Sequence, residues 1–238
     1  MMNGVSRNGR YGGYSYEPLA KPNNGHMRLI NPLAVIGQEE RKLLDAKREI
    51  IKSNSAIFDS ENITNLKQLL NQIDIAIGEA FPNAGYVLLA RQAGNYTAIS
   101  QRGIEFDPKE LNLSTANSIV KTAGEIEPGE RRTVYIPDLS QNGLYLASKF
   151  DEGFARDHHD IEEGTIEGSG LTIDLFSLAR AKIPAVAVAP SMERTYTDPV
   201  AAIMLVGSPS FLNPFVDLVP LRELADSIAR PLKAKLHQ

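Results

Sequence analysis

The chain has 238 residues, 42% hydrophobic and 23% charged, with a formal net charge of −4. That is the composition of an ordinary folded protein with one core, neither disordered nor built for the bilayer. It contains no cysteine, which excludes disulfides, thiolate metal centres, cysteine nucleophiles and thioether-linked cofactors together.

The longest apolar runs, 185–190 and 200–206, fall far short of the roughly 20 residues a membrane-spanning helix needs. The first 30 residues carry no apolar signal core, so no membrane span and a cytoplasmic location are expected. The acidic balance speaks against a nucleic-acid partner. Charge is nevertheless uneven: Arg7, Arg10, Lys21 and Arg28 face Glu17 alone in the first 30 residues, whereas eight acids face Arg156 alone over 151–174. Such blocks are most simply solvated surface.

Residues 1–33 are rich in Asn, Gly, Tyr and Pro and show no hydrophobic period, the pattern of a flexible tail. Arg10, Tyr11, Tyr14 and Tyr16 also suit a short motif that orders on a partner protein, because tyrosine offers large contact area at low entropy cost. Residues 34–58 read as an N-terminal helix, clearest over Gln38–Asn54, with acids early and bases late as the helix dipole prefers. Ile36, Leu43, Ile50 and Ile57 recur every seven residues, with Leu44, Ile51 and Phe58 beside them. This stripe packs on the domain or on a twin copy.

Residues 59–238 read as the domain itself. A helix capped at Asp59 or Ser60 buries Ile63, Leu66, Leu70, Ile73 and Ile77 until Pro82 and Asn83 end it. AGYVLLARQ, AGN and YTAISQRG form a hairpin; LSTANSIVKTAG is a helix capped at Ser114; TVYIPDL is a strand. The segment 140–172 shows no sustained period and reads as an acidic insertion over a site or partner surface. DLFSLARA is a short helix, and IPAVAVAP and VAAIMLVGS form a closing strand pair. In the last helix Leu218, Leu221, Ala225, Ile228 and Leu232 make the buried stripe. Asp217 is placed to cap it, with Pro220 in the tolerant first turn, and Pro231 is expected to kink or end it.

The helix ITNLKQLLNQIDIAIGEAF, the strand VYIPDL after SIVKTAG, and the run from IPAVAVAP through VAAIMLVGS to ELADSIARPL together resemble the GAF domain family over roughly residues 60–236. The resemblance implies an α+β fold: an antiparallel sheet flanked by helices, in a family of small-molecule sensing modules. It also implies that Asp138 and the helix with Ser177 and Arg180 border the ligand side, with Tyr135 and Tyr145 as an apolar wall with polar tips. Asp138 as a plain turn residue after Pro137 and Arg180 as a surface charge are the alternative.

The chain departs from the family where chemistry is concerned. Bilin-carrying and methionine sulfoxide reductase members need cysteines, and the cyclic-nucleotide signature is not met, because Phe150, Asp151 and Glu152 are contiguous. His158 and His159 among acids lack a recognised ligand spacing, and neither Gly164–Gly170 nor Gly207–Ser210 matches a phosphate loop. No cofactor, no metal and no catalysis are therefore expected. A regulatory or scaffold protein acting through protein contacts is the leading expectation. It would be a homodimer built on Leu43, Leu44, Ile50, Ile51, Leu224 and Ile228. The alternative is a sensor holding a metabolite noncovalently under the 140–172 insertion.

Overall fold

The computed structural model describes residues 27–111, 119–124, 130–150, 161–169, 175–192 and 199–236. The expected tail motif at Arg10, Tyr11, Tyr14 and Tyr16 and the acidic stretch 151–160 lie outside them. Among the described residues eight strands form one antiparallel sheet: β1 (Arg28–Ile30), β2 (Gly85–Gln92), β3 (Asn95–Arg102), β4 (Glu130–Ile136), β5 (Gly143–Phe150), β6 (Ile161–Thr165), β7 (Ala185–Ser191) and β8 (Ala201–Gly207). Their order across the sheet is β1-β6-β5-β4-β7-β8-β2-β3. One face carries the helices α2 (Gln38–Phe58), α3 (Leu66–Ala80) and α6 (Pro214–Leu236); the other carries α4 (Ile119–Gly124) and α5 (Leu175–Arg180). A single turn, α1 (Pro32–Val35), precedes α2. The fold is the expected α+β arrangement.

Strand periodicity divides the core into two. Tyr86, Leu88, Tyr135, Ala187, Ala189, Ile203 and Leu205 point to the three-helix layer. Val87, Leu89, Val134, Ile136, Val186, Val188 and Met204 point to the other face, where Ile119, Val120 and Leu178 meet them. With both faces covered, β7 and β8 are buried along nearly their whole length, which is why they read as unbroken apolar runs. Alanines at 187, 189 and 201 keep the sheet surface low beneath α6, whose Leu221, Leu224, Ala225, Ile228 and Leu232 are fully buried on it.

Several local expectations are corrected. The helix expected to start at Asp59 or Ser60 begins at Leu66, where the Asn65 side chain accepts from the Gln68 N–H at 3.0 Å and the Gln68 side chain accepts from the Thr64 N–H at 2.8 Å, a reciprocal cap. Within the expected 140–172 insertion, β5 and β6 are sheet strands. Leu144 and Leu146 face one core and Ala147 the other, so β5 lacks an apolar–polar alternation; β6 has a single buried apolar residue, Ile161, and is defined by pairing. Residues 28–30, placed in the tail by composition, pair with β6.

Asp217 does not cap α6. The helix starts at Pro214, Asn213 caps it by accepting from the Phe215 N–H at 3.0 Å, and Asp217 reaches back to accept the Asn213 N–H at 2.7 Å. Pro220 and Pro231 both lie inside α6, which runs on to Leu236. Each is buried, and the packing of the stripe around them offsets the lost backbone bond.

Helix α2 is held by charge as well as by Leu44, Ile51 and Phe58, which are buried. Lys47 pairs with Asp217 at 2.5 Å, with side chains only 12% and 6% exposed. Arg48 grips Glu223 with two nitrogens, and buried Asn54 accepts from the Gln72 side chain of α3 at 2.6 Å. At the sheet's far edge Arg102 lies on α3 where Gly78 leaves room for it, 3.1 Å from Asp74 and over the Tyr86 ring. The β2–β3 hairpin turns through Ala93 and Gly94, with φ of 43° and 89°, the two positive values that match strand twist.

Two outcomes follow. Lys47→Ala strands a buried carboxylate and lowers unfolding stability by about 3–5 kcal/mol, whereas Lys47→Met with Asp217→Leu recovers much of that loss; urea titration reads both. Ala93→Asn, which suits a left-handed turn position better than alanine, raises stability by about 0.5–1 kcal/mol, measured by thermal unfolding.

Candidate functional site

The structure does not bring the five predicted ligand residues together. Tyr135 and Tyr145 sit on the helix-layer side of the sheet, whereas Ser177 and Arg180 belong to α5 on the opposite side. In the VYI run of β4 only the central residue points to the helices, so an odd–even step separates Tyr135 from Val134 and Ile136. Asp138 lies in the turn after β4, where its carboxylate accepts from the Ser140 N–H at 2.9 Å, the Ser140 hydroxyl at 2.6 Å and the Gln141 amide at 2.8 Å. These bonds, Ser140's first, hold it below its ordinary value, as a turn-making aspartate requires.

The tyrosines instead fasten the β8–α6 connection. The Tyr135 hydroxyl donates to the Pro209 carbonyl at 3.1 Å, its ring stacks on Tyr145 at 6.0 Å and meets Phe211 edge-on at 5.8 Å, and Tyr145 meets Phe215 edge-on. The Tyr145 hydroxyl donates to Glu163 at 2.8 Å. Burial, chiefly, pushes Tyr135 and Tyr145 up to about 12; Asp217 adds to the first and Glu163 to the second. Tyr86 rises to about 12 by burial as well, with the Ser100 contact opposing.

Of the residues expected at a dimer interface, four are withdrawn from it. Leu44, Ile51, Leu224 and Ile228 are buried in the chain's own core. Leu43 is 50% exposed, and Ile50 is half-buried against the core. With Ile57, 41% exposed, they line the outer side of α2 at seven-residue spacing, on a helix that also carries the surface pairs Glu39–Lys42 and Glu49–Lys52.

Beside this stripe runs an apolar groove of about 250 Å3. Leu43, Ala46 and Ile50 form one wall, the turn Phe81–Ala84 the other, and Phe211 with Leu212 the end. Lys47 sits in it 5.0 Å above the Phe81 ring, its charge met by Asp217; Glu79 stands at the rim. The α2 wall is legible in its seven-residue period, whereas Phe81–Ala84 carries only the signal of a helix stop.

A second, wider cleft of about 940 Å3 opens at the ends of β3, β7 and β8. Arg180 and Lys182 face it with Glu105 and Asp107, over an apolar floor of Ile104, Phe106 and Val206. Among the described residues no cluster of three or more metal-ligating side chains occurs; His158 and His159 lie outside them. No helix among the described residues is long and apolar enough to cross a membrane.

No family model and no curated protein matches the sequence. Solved structures do. The chromophore-binding domain of a bacteriophytochrome from R. palustris is similar at a TM-score of 0.50 and 12% identity, over 85% of this chain and 64% of that one. The GAF domain of a phosphoenolpyruvate-protein phosphotransferase from Coxiella burnetii is similar at 0.48 and 14%, over 82% and 99%. Free methionine-R-sulfoxide reductase from Neisseria meningitidis, in complex with its substrate, is similar at 0.49 and 13%, over 85% and 95%. The likeness at 0.50 shows a fold shared with that chromophore-binding domain. At such identities the likeness speaks for architecture and leaves ligand and activity to the chain's own residues.

The raised tyrosines set a pH dependence. Their neutral forms are favoured in the folded chain, so this support is complete below about pH 10 and is lost as pH rises from there through about 12. Phenolate absorbance should show these tyrosines ionising last, with the urea midpoint falling across that window. Tyr135→Phe should flatten part of the fall and cost about 1 kcal/mol at neutral pH through its lost hydrogen bond.

Proposed function

We propose that this chain is a non-enzymatic, cytoplasmic regulatory or scaffold protein of GAF-like fold that acts through protein contacts and assembles as a homodimer along the outer side of α2. The observation that carries the reading is the outer Leu43–Ile50–Ile57 stripe, in which Leu43 and Ile57 are exposed and Ile50 is half-buried. The neighbouring stripe, Leu44–Ile51–Phe58, already seats α2 on its own domain, so exposed Leu43 and Ile57 are not needed for that seating. A row of large apolar side chains left on a charged helix is the mark of a surface meant to be covered.

The sheet edges favour the same conclusion. β1 is only three residues long, and β3 carries a bulge opposite Leu88 and Leu89; short strands and bulges discourage edge-to-edge pairing. The helix layer is left as the surface for self-association. A non-enzymatic role is supported by the use of the candidate residues: Tyr135 and Tyr145 hold a connection, and Asp138 closes a turn. A chain without cysteine has no need of an oxidising compartment.

A second reading, a sensor of a small metabolite, is favoured by the 940 Å3 cleft, where Arg180 and Lys182 offer charge above an apolar floor. One native mass spectrum separates the two. A bare dimer supports the scaffold reading, and a discrete extra mass on each chain supports the sensor. Leu43→Glu with Ile57→Glu, both at exposed positions, should raise the dimer dissociation constant at least about a hundredfold with the melting temperature of the fold unchanged. An unaltered assembly in that variant removes the α2 interface.

A further inference from the structure

We infer that the groove beside α2 is the docking site of the chain's own N-terminal segment, with a tyrosine from the Arg10–Tyr16 stretch seated in it. Residues 1–26 lie outside the described structure and lead into Met27, immediately before β1. All neighbouring strands are antiparallel. Alternating directions along the strand order therefore put the start of β1 at the same end of the sheet as the start of β2 and the end of β8. Those two termini carry the groove walls: Phe81–Ala84 leads into β2, and Phe211 follows β8. β2 stands six strands from β1, about 29 Å at the usual strand spacing. Tyr16 and Tyr11 precede Met27 by 11 and 16 residues, about 36 and 53 Å of extended chain. The segment reaches the groove of its own chain.

The chemistry of the two partners also matches. A groove of about 250 Å3 walled by Ile50, Phe81, Pro82 and Phe211 has the size for one aromatic side chain, and the segment offers three, Tyr11, Tyr14 and Tyr16. Lys47 is compensated by Asp217, which leaves Glu79 as the charge the groove presents at its rim. The segment brings Arg7 and Arg10 with one acid, Glu17. A tyrosine body against apolar walls with its hydroxyl outward, and an arginine on Glu79, satisfy both.

Leu43 and Ile50 belong to the groove and to the outer stripe of α2. A docked segment and a second copy therefore exclude each other, so the segment restrains assembly. The docking stands without the homodimer; only this consequence rests on it.

The test is hydrogen–deuterium exchange on the full chain, read at residues 9–17, 43–50 and 79–84. Tethered at millimolar effective concentration, a weak contact should still protect residues 9–17 about tenfold. Replacing Tyr11, Tyr14 and Tyr16 together by Ala should abolish that protection and speed exchange at both groove walls. Glu79→Lys and Ala46→Phe, at exposed helix positions, should each release residues 9–17. Tenfold dilution should change nothing, because the segment is the chain's own. Exchange of residues 9–17 at the free-peptide rate in the unsubstituted chain overturns the inference. So does protection that survives both groove variants, or protection lost on dilution, which would make a second copy or another protein the occupant. Because exchange is read at concentrations where the chain is monomeric, failure of the homodimer leaves this result standing, and the reverse holds.

Discussion

The ion pair between Lys47 and Asp217 is the contact on which the helix layer depends. Both side chains are nearly shut off from water, so the pair contributes little net stability against a well-packed apolar alternative, while either charge alone would be costly. Its value is in register. Asp217 also accepts the Asn213 N–H, and Asn213 both caps α6 and donates to Glu40 of α2 at 3.1 Å. One carboxylate thereby sets where α6 starts and how far along it α2 lies. A slip of one turn would leave two buried charges unmatched.

That register decides which side of α2 faces outward. Two stripes one residue apart, Leu43–Ile50–Ile57 and Leu44–Ile51–Phe58, are equally apolar on paper. With Lys47 turned to Asp217, the second stripe falls into the core and the first remains at the surface. Lys47 also lies over Phe81, so the same side chain closes the floor of the groove. The apolar surface left exposed on α2 is a by-product of how the core is aligned.

The aromatic cluster shows the same economy. Tyr135, Tyr145, Phe211 and Phe215 tie the β8–α6 connection to β4 and β5, and that connection carries Phe211 and Leu212 into the groove. Residues that resemblance assigns to a ligand wall are structural here, because strand alternation sends them to the helices and sends Arg180 to the other side of the sheet. The wide cleft with Arg180 and the apolar groove are therefore separate places, with separate chemistry.

Much of the architecture was legible in the residues alone. The hairpin at Ala93–Gly94, the buried runs of β7 and β8 and the helices around Leu44 and Leu224 follow from local period, turn chemistry and composition, all of which act over a few neighbours. What escaped was whatever depends on distant partners. β6 has one buried apolar residue and exists because β5 and β1 pair with it. Asn213 outranks Asp217 as a cap because Lys47, 170 residues away, claims the aspartate. Pro220 and Pro231 stay helical because the sheet packs around them. The sequence by itself determined that α2 has more apolar surface than one contact needs. Only the tertiary structure decided which half of that surface is left exposed, because a period records which residues share a side of a helix and not which side another helix will cover.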